Sequence, residues 1–435
     1  MLVRLAYGTT GLDLELPDER VVVVAPAHRP PAEDPAAEVR RSLRSPVAGP
    51  PLAERVRRGQ RVAIAVCDGT RPQPREVVVP VLLEELEGRV DLDDVVVLVA
   101  TGTHRGNTPE ELEAMLGRGV LDAVRVVNHD ARDDAALADL GVLGDGVPVK
   151  LNREWVEADF RITTGFVEPH LFAGFSGGPK LVAPGLAGLE TTLVLHDARR
   201  IGDPRATWGV IEGNPVHDDV RAIAAASGVD FACDVVLDGD QRIVEAFGGD
   251  LFAMHAAACA ASREAAMRPV PRRFEVVVTS NAGFPLDQNL YQSVKGMSAA
   301  SQVVAPGGLV VVAAECRDGF PDHGEYRRLL ASARSPAALR QRIESGTSTV
   351  PDQWQAQVQV RVQAAARVAV HADGLGDEEL RQAFFEPAPD VAETVLEELE
   401  RLGPEAACCV LPEGPVTIPY VAGESEGTSS GMLLP

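Results

Sequence analysis

The sequence predicts an α/β protein of two domains, with mainly parallel sheets and a cleft between the domains. Three observations predict it. Valine-rich apolar runs recur along the chain and alternate with helical stretches, the pattern of parallel sheets covered by helices. The runs are continuous more than alternating, which suits strands buried on both faces. The chain has 435 residues, too many for one ordinary core.

In chain order, strands are expected at Val21–Ala25, Val62–Val66, Val95–Ala100, Val124–Val127, Arg161–Thr164, Val235–Leu237, Glu275–Thr279, Leu309–Ala314, Val368–His371 and Cys409–Leu411. Helices are expected at Glu76–Glu87, Pro109–Leu116, Asp218–Ala226, Leu251–Met267, Tyr326–Glu344 and Val391–Leu402. The stretch RPVPRR, Arg268–Arg273, is broken by prolines and charged, and reads as a linker. It divides the chain into an N-terminal domain over 1–270 and a C-terminal domain over 274–420. Residues 421–435 are mostly small and polar and read as a flexible tail.

Composition bounds the function. The chain is 45% hydrophobic, enough for a large core, and carries a net charge of −23. That balance argues against nucleic acid and anionic membranes as partners, yet allows a small anionic ligand where a few cations converge. Six cysteines without a CxxC read as apolar core residues of a reducing compartment. No apolar run approaches a membrane span, and the expected location is the cytoplasm.

In open α/β sheets ligands lie beyond the carboxyl ends of the strands. Four polar loops follow apolar strands there: CDGTRPQP with Asp68 and Arg71, TGTHRGNT with His104 and Arg105, the glycine-rich stretch Gly165–Gly188, and SNAGFPLDQNLYQSVKG with Gln292 and Lys295. The third, GFVEPHLFAGFSGGPKLVAPGLAG, places His170, Ser176 and Lys180 within eleven residues, with His196 following. A long loop of small residues carrying reactive side chains suggests a bound ligand. The lysine is notable because the chain has 41 basic residues and its only lysines are Lys150, Lys180 and Lys295. A lysine amine can lose its proton and become a nucleophile, which arginine cannot.

Each motif also has a plain structural reading. Asp68 can cap a helix and Arg71 sit on the surface. His104 can be a loop histidine, His196 a histidine of an apolar segment, and Trp354 a core residue. Ser176 lies in G-F-S-G-G, a match to the G-x-S-x-G nucleophile elbow, but no β-branched strand leads directly into it. The histidine spacings contain no local metal motif.

Together the motifs DGTR (68–71), GTHR (102–105), EPHLFAGFSGGPK (168–180), His196, QSVK (292–295) and Trp354 resemble those of the nickel-dependent lactate racemase family. They occur in one order and span most of the chain. The resemblance implies a 2-hydroxy-acid racemase or epimerase that uses a nickel-pincer nucleotide. Lys180 would tether this cofactor and His196 would be the protein ligand to nickel. His104 and His170 would be the two acid–base groups. Arg71, Gln292 and Lys295 would hold the substrate carboxylate, with Trp354 lining that pocket and Asp68 buttressing it. Thr101, Gly102, Thr103 and Arg105, with Ser176, Gly177 and Gly178, would cradle the nucleotide. Implied partners are a small anionic 2-hydroxy acid and cofactor-maturation proteins; oligomeric state is not readable. Two other readings stay open on the residues alone: a serine hydrolase using Ser176, and a non-catalytic protein binding the cofactor or another nucleotide.

Overall fold

The computed structural model describes residues 1–321 and 324–423. The strands of its two large sheets are β1 (Val21–Val23), β2 (Val62–Cys67), β3 (Val95–Ala100), β4 (Arg125–Asn128), β5 (Phe160–Phe166) and β6 (Phe231–Leu237). They continue with β7 (Ile243–Gly249), β8 (Phe274–Ser280), β9 (Val304–Ala313), β10 (Arg367–His371), β11 (Glu386–Pro387) and β12 (Cys408–Leu411). The helices that matter below are α1 (Arg75–Leu86), α2 (Pro109–Leu116), α3 (Pro215–Ser227), α4 (Leu251–Ala266), α5 (Leu290–Ala300), α6 (Gln353–Ala365) and α7 (Val391–Leu402).

The chain forms two compact units. A central unit comprises His28–Leu195 and Arg205–Glu264, and a terminal unit comprises Met1–Ala27, His196–Pro204 and the chain from Ala265 onward. The central sheet has the order β7-β6-β5-β2-β3-β4. All its pairs are parallel except β6–β7. The terminal sheet, β11-β10-β9-β8-β12-β1, is parallel throughout. Valine-rich strands such as β2 and β3 are buried almost end to end, as covering both faces with helices requires.

Local chemistry sets the helix ends. Thr108 and Glu111 form a reciprocal capping box at the start of α2, with Pro109 in the first turn. Asp390 caps α7, whose Val391, Val395 and Leu399 lie on one buried stripe.

The fold is α/β with mainly parallel sheets, as expected, but several boundaries differ. Residues 1–27 pack with the terminal unit because β1 hydrogen-bonds to β12, so 1–270 is not one body. The segment His196–Pro204 also joins the terminal unit. The expected linker contributes a strand, Met267–Val270, paired in parallel with Ile418–Val421. The helix expected over Tyr326–Glu344 is two, Tyr326–Ala331 and Pro336–Glu344, because Ser335 caps a new start with Pro336 in its first turn. Of the expected tail, 424–435 lie outside the described residues. No helix among the described residues is long and apolar enough to cross a membrane, and all six cysteines are buried and free of disulfides.

Candidate active site

In the central sheet the chain runs β2, β3, β4 to one side and then returns to place β5 on the other side of β2. The crevice beyond the carboxyl ends at such a reversal is where α/β sheets hold ligands. The loops after β2, β3 and β5 start there, and they carry Asp68, the Thr101–Arg105 turn and the Gly165–Gly188 stretch.

These loops are bonded to one another. His104 Nδ1 lies 2.7 Å from Asp68 Oδ2. Asp68 is 3% exposed, and its other oxygen accepts from the Thr70 hydroxyl (2.7 Å) and amide (3.2 Å). Burial pushes the Asp68 carboxyl up, but the His104 bond and charge, the Arg71 charge and the Thr70 hydroxyl outweigh it and hold the group below the usual carboxylate range. An ionised Asp68 accepts the Nδ1 proton, which leaves Nε2 of a neutral His104 as the acceptor. The Gly102 amide donates to the Gly185 carbonyl at 2.9 Å and ties the second loop to the third. Thr101 is buried with its hydroxyl bonded to the His129 carbonyl. Arg105 is exposed and pairs bidentately with Glu111. Arg71, also exposed, donates to the Thr70 hydroxyl.

His170 sits in a two-strand turn, Pro169–His170 against Gly174–Phe175. Its Nδ1 accepts from the amides of Phe172 (3.5 Å) and Ala173 (3.3 Å), and its ring meets Phe172 edge-on. An accepting Nδ1 puts the proton of a neutral ring on Nε2. His104 and His170 therefore present opposite Nε2 characters, the first accepting and the second donating.

Lys180 lies on a 3-10 turn, Gly178–Leu181. Gly177 and Gly178 before it have φ of 70° and 49°, a region open to glycine at little cost. The Lys180 ammonium stands 5.7 Å from the centre of the Phe172 ring. Ser176 is absorbed by this loop: its hydroxyl donates to the Phe166 carbonyl (3.0 Å) and accepts from the Glu168 amide (2.9 Å). The bond from His255 reaches the Ser176 carbonyl, not the hydroxyl. Among the described residues no hydrogen bond joins a histidine to the Ser176 hydroxyl, which is taken up by two backbone groups, so the nucleophile-elbow arrangement is not met.

In the terminal unit the chain runs β8, β9, β10 to one side and returns to put β12 on the other side of β8. Gln292 and Lys295 follow β8 here, but on helix α5 rather than in a loop. The helix begins at Asn289, whose side chain caps the Gln292 amide, and the three-residue spacing puts both side chains on one face. His196 is buried, and its ring lies 4.6 Å from that of Trp354 at the start of α6. The Trp354 indole donates to the Tyr291 hydroxyl at 3.2 Å. Farther along α6, Gln357 donates to the Ala198 carbonyl at 2.8 Å and Arg361 to the Ile201 carbonyl, holding the segment that carries His196.

The models of the lactate racemase N-terminal and C-terminal domains match residues 7–209 and 271–418. The chain is 34% identical over 417 residues to a lactate racemase of Thermoanaerobacterium thermosaccharolyticum, covering 95% of this chain and 97% of that one. It is 34% identical over 377 residues to a lactate racemase of Lactiplantibacillus plantarum, covering 86% and 89%. The chain belongs to the lactate racemase family. The structure of the T. thermosaccharolyticum lactate racemase apoprotein superposes with a TM-score of 0.91 at 33% identity, covering 97% of this chain and all of that one. A Thermotoga maritima protein shares the fold at a TM-score of 0.66 and 19% identity, covering 89% and 99%. As a member of this family the chain is an isomerase of the racemase class.

In this lactate racemase relative several residues that shape the site carry little signal in the sequence. Arg75, 6% exposed, donates to the carbonyls of Cys67, Asp68 and Arg71 and so fixes the DGTR turn from beneath. Its position in the first turn of α1 gave no such signal. Tyr291 lies on α5 and Gln357 on α6, a helix whose sequence shows no amphipathic period. Asp234 and His255 lie under the Lys180 turn. The one visible signal for Asp234 was an acidic residue inside the apolar run FACDVVL.

Proposed function

We propose that this chain racemises a small 2-hydroxy acid, lactate or a close analogue, with a nickel-pincer nucleotide tethered at Lys180. The observation that carries the reading is the Asp68–His104 contact at 2.7 Å, because it makes His104 a base beside a motif set that resembles the family throughout. Inverting C2 of a 2-hydroxy acid passes through a planar 2-keto acid, which accepts hydrogen on either face. The two enantiomers present their hydroxyls to opposite sides, so two proton-handling groups are needed, one accepting while the other donates.

The residues suit that cofactor. Among the described residues no three His, Cys, Asp or Glu side chains gather as a metal site, and the pincer brings sulfur, carbon and sulfur donors of its own. One buried imidazole, His196, would supply the fourth donor of a set appropriate to nickel, with the Trp354 ring 4.6 Å from it. Lys180 supplies a primary amine for the thioamide tether. When bound, the group supplies a reversible hydride acceptor.

The chain's own residues do the rest. His104 Nε2 takes the hydroxyl proton, and Asp68 stabilises the imidazolium through Nδ1. His170 Nε2 gives a proton to the keto oxygen on return, and the roles reverse for the other enantiomer. Arg71, Gln292 and Lys295 bind the substrate carboxylate, with Trp354 lining its pocket. The Thr101–Arg105 and Ser176–Gly178 turns bound the nucleotide, with cofactor-maturation proteins as the chain's partners in loading.

The test is chiral analysis of L-lactate and D-lactate incubated with protein produced alongside the cofactor-building proteins. Each enantiomer should drift toward an equal mixture. A nickel-loaded protein that converts neither lactate nor any member of a short-chain 2-hydroxy-acid panel would refute the reading.

A further inference from the structure

Asp234 is a carboxylate in the middle of a sheet. It lies on β6 with no exposure, opposite Gly165 of β5 in register. Its Oδ2 accepts from the Gly178 amide at 2.5 Å, and its Oδ1 has no hydrogen-bond partner among the described residues. Burying a carboxylate costs several kcal/mol unless something is gained, so its place needs a reason.

The surroundings are cut to admit it. A Cβ on Gly177 would fall 2.6 Å from Asp234 Oδ2, and one on Gly165 would fall 3.2 Å from Oδ1. The same glycines let the Lys180 turn settle onto the sheet. From helix α4 a second buried group meets this turn, since His255 Nε2 lies 2.9 Å from the Ser176 carbonyl. That contact requires the proton on Nε2. The His255 ring fills the space over Gly178, where a Cβ would lie 2.5 Å from it. The ring is backed by His217 of α3, stacked at 5.7 Å and 17°. The turn is therefore gripped on both sides of Gly177, at the Ser176 carbonyl and at the Gly178 amide, two residues before Lys180.

We infer that Asp234, with His255, is a positioning residue for Lys180: the two side chains hold the Ser176–Gly178 backbone in the single conformation that presents the lysine amine. The inference rests on the reading of Lys180 as the tether, but its test does not.

The chain offers an internal reference, because Lys150 lies in the same unit and the only other lysine is Lys295. The full chain, produced without cofactor-building proteins, is treated with an amine-reactive ester, and labelling at each lysine is followed by peptide mass. Amide exchange of the 174–182 segment is measured in parallel. Asp234→Ala should raise exchange of that segment about tenfold with β2 unchanged, and raise the Lys180-to-Lys150 labelling ratio about threefold. Asp234→Asn keeps an acceptor facing Gly178 and should restore most of both. An unchanged ratio in Asp234→Ala, or identical behaviour of the Ala and Asn variants, overturns the inference. If Asp234→Ala does not fold, His255→Leu tests the other half of the grip and should raise the same ratio; an unchanged ratio there overturns it equally. A nickel adduct that survives Lys180→Ala would sink the tether reading while leaving these outcomes as they are.

Discussion

His104 Nδ1 and Asp68 Oδ2 are 2.7 Å apart, and Thr70 decides what that contact means. Both the Thr70 amide and hydroxyl donate to the other carboxylate oxygen. In Asp68→Asn those two donors retain the amide oxygen at their side and turn the NH2 toward His104. The imidazole then accepts at Nδ1 and carries its proton on Nε2, the wrong tautomer for a base. The expected result is a fall in kcat of about 10²–10⁴-fold with KM little changed. His104→Ala and His170→Ala should each abolish racemisation with the fold intact by circular dichroism; normal turnover in either refutes the two-base scheme.

Lys180→Ala should lose covalent cofactor, seen as the absence of a nickel-bearing adduct in intact-protein mass. Lys180→Arg should do the same, since a guanidinium does not form the thioamide. Lys150→Ala, on a half-buried lysine paired with Asp134, should keep the adduct.

Gln357 holds the Ala198 carbonyl from a fully buried position. Gln357→Leu leaves that acceptor without its side-chain donor and should cost about 1–3 kcal/mol in denaturant unfolding. Because the same segment carries His196, nickel retention should fall as well, whereas Gln363→Leu, which loses a bond to Phe384 instead, should leave nickel retention unchanged.

The buried histidines make the central unit acid-sensitive. Burial holds His217 down to about 3 and His255 down to about 4, from an ordinary value of 6.5. Between those values the unfolded chain binds protons that the fold refuses, so stability rises with pH there and is lost on acidification. Asp234 opposes this: burial lifts it to about 6 from an ordinary 3.8, so its contribution declines as pH rises through that window. The two histidines outweigh the one carboxyl, and Tm should fall from pH 6.5 toward pH 4. Asp234→Asn removes the opposing group and should steepen that fall; an unchanged slope would refute the protonation assigned to Asp234.

Ser176→Ala removes a hydroxyl that bridges the Phe166 carbonyl and the Glu168 amide. It should cost about 1 kcal/mol of stability and leave racemase turnover within a few-fold. Loss of an esterase activity in this variant, with Lys180→Ala harmless, would instead favour a serine hydrolase.

Strand positions were legible because burial on both faces demands unbroken apolar runs, and β3 and α7 lie at the residues expected. Helix α6 was not, and its composition explains why. QWQAQVQVRVQAA alternates polar and apolar like a strand, and the helix buries nearly its whole circumference, Gln357 and Gln359 with no exposure beside Val360. A helix buried all round has no amphipathic period to read. Likewise the acidic residue in FACDVVL shortened the apparent strand, because the carboxylate there meets the Gly178 amide across the loop.

By itself the sequence determined the α/β class, the loops after the apolar strands and the reactive residues on them, because alternation of apolar runs and polar loops is a one-dimensional property. Tertiary structure alone decided which of those residues are gripped by others. The return of β5 beside β2 brings Asp68, His104 and the Lys180 turn to one end of a sheet. Pairing across 36 residues for Asp68–His104 and 56 for Gly178–Asp234 follows from strand order, which no local spacing encodes. The same long-range pairing moved β1 into the terminal sheet, and the bonds from α6 to Ala198 and Ile201 fasten His196–Pro204 to that unit, against a division drawn at a proline-rich stretch. Hydrogen bonding between distant strands and carbonyls, rather than chain composition, sets where these units begin.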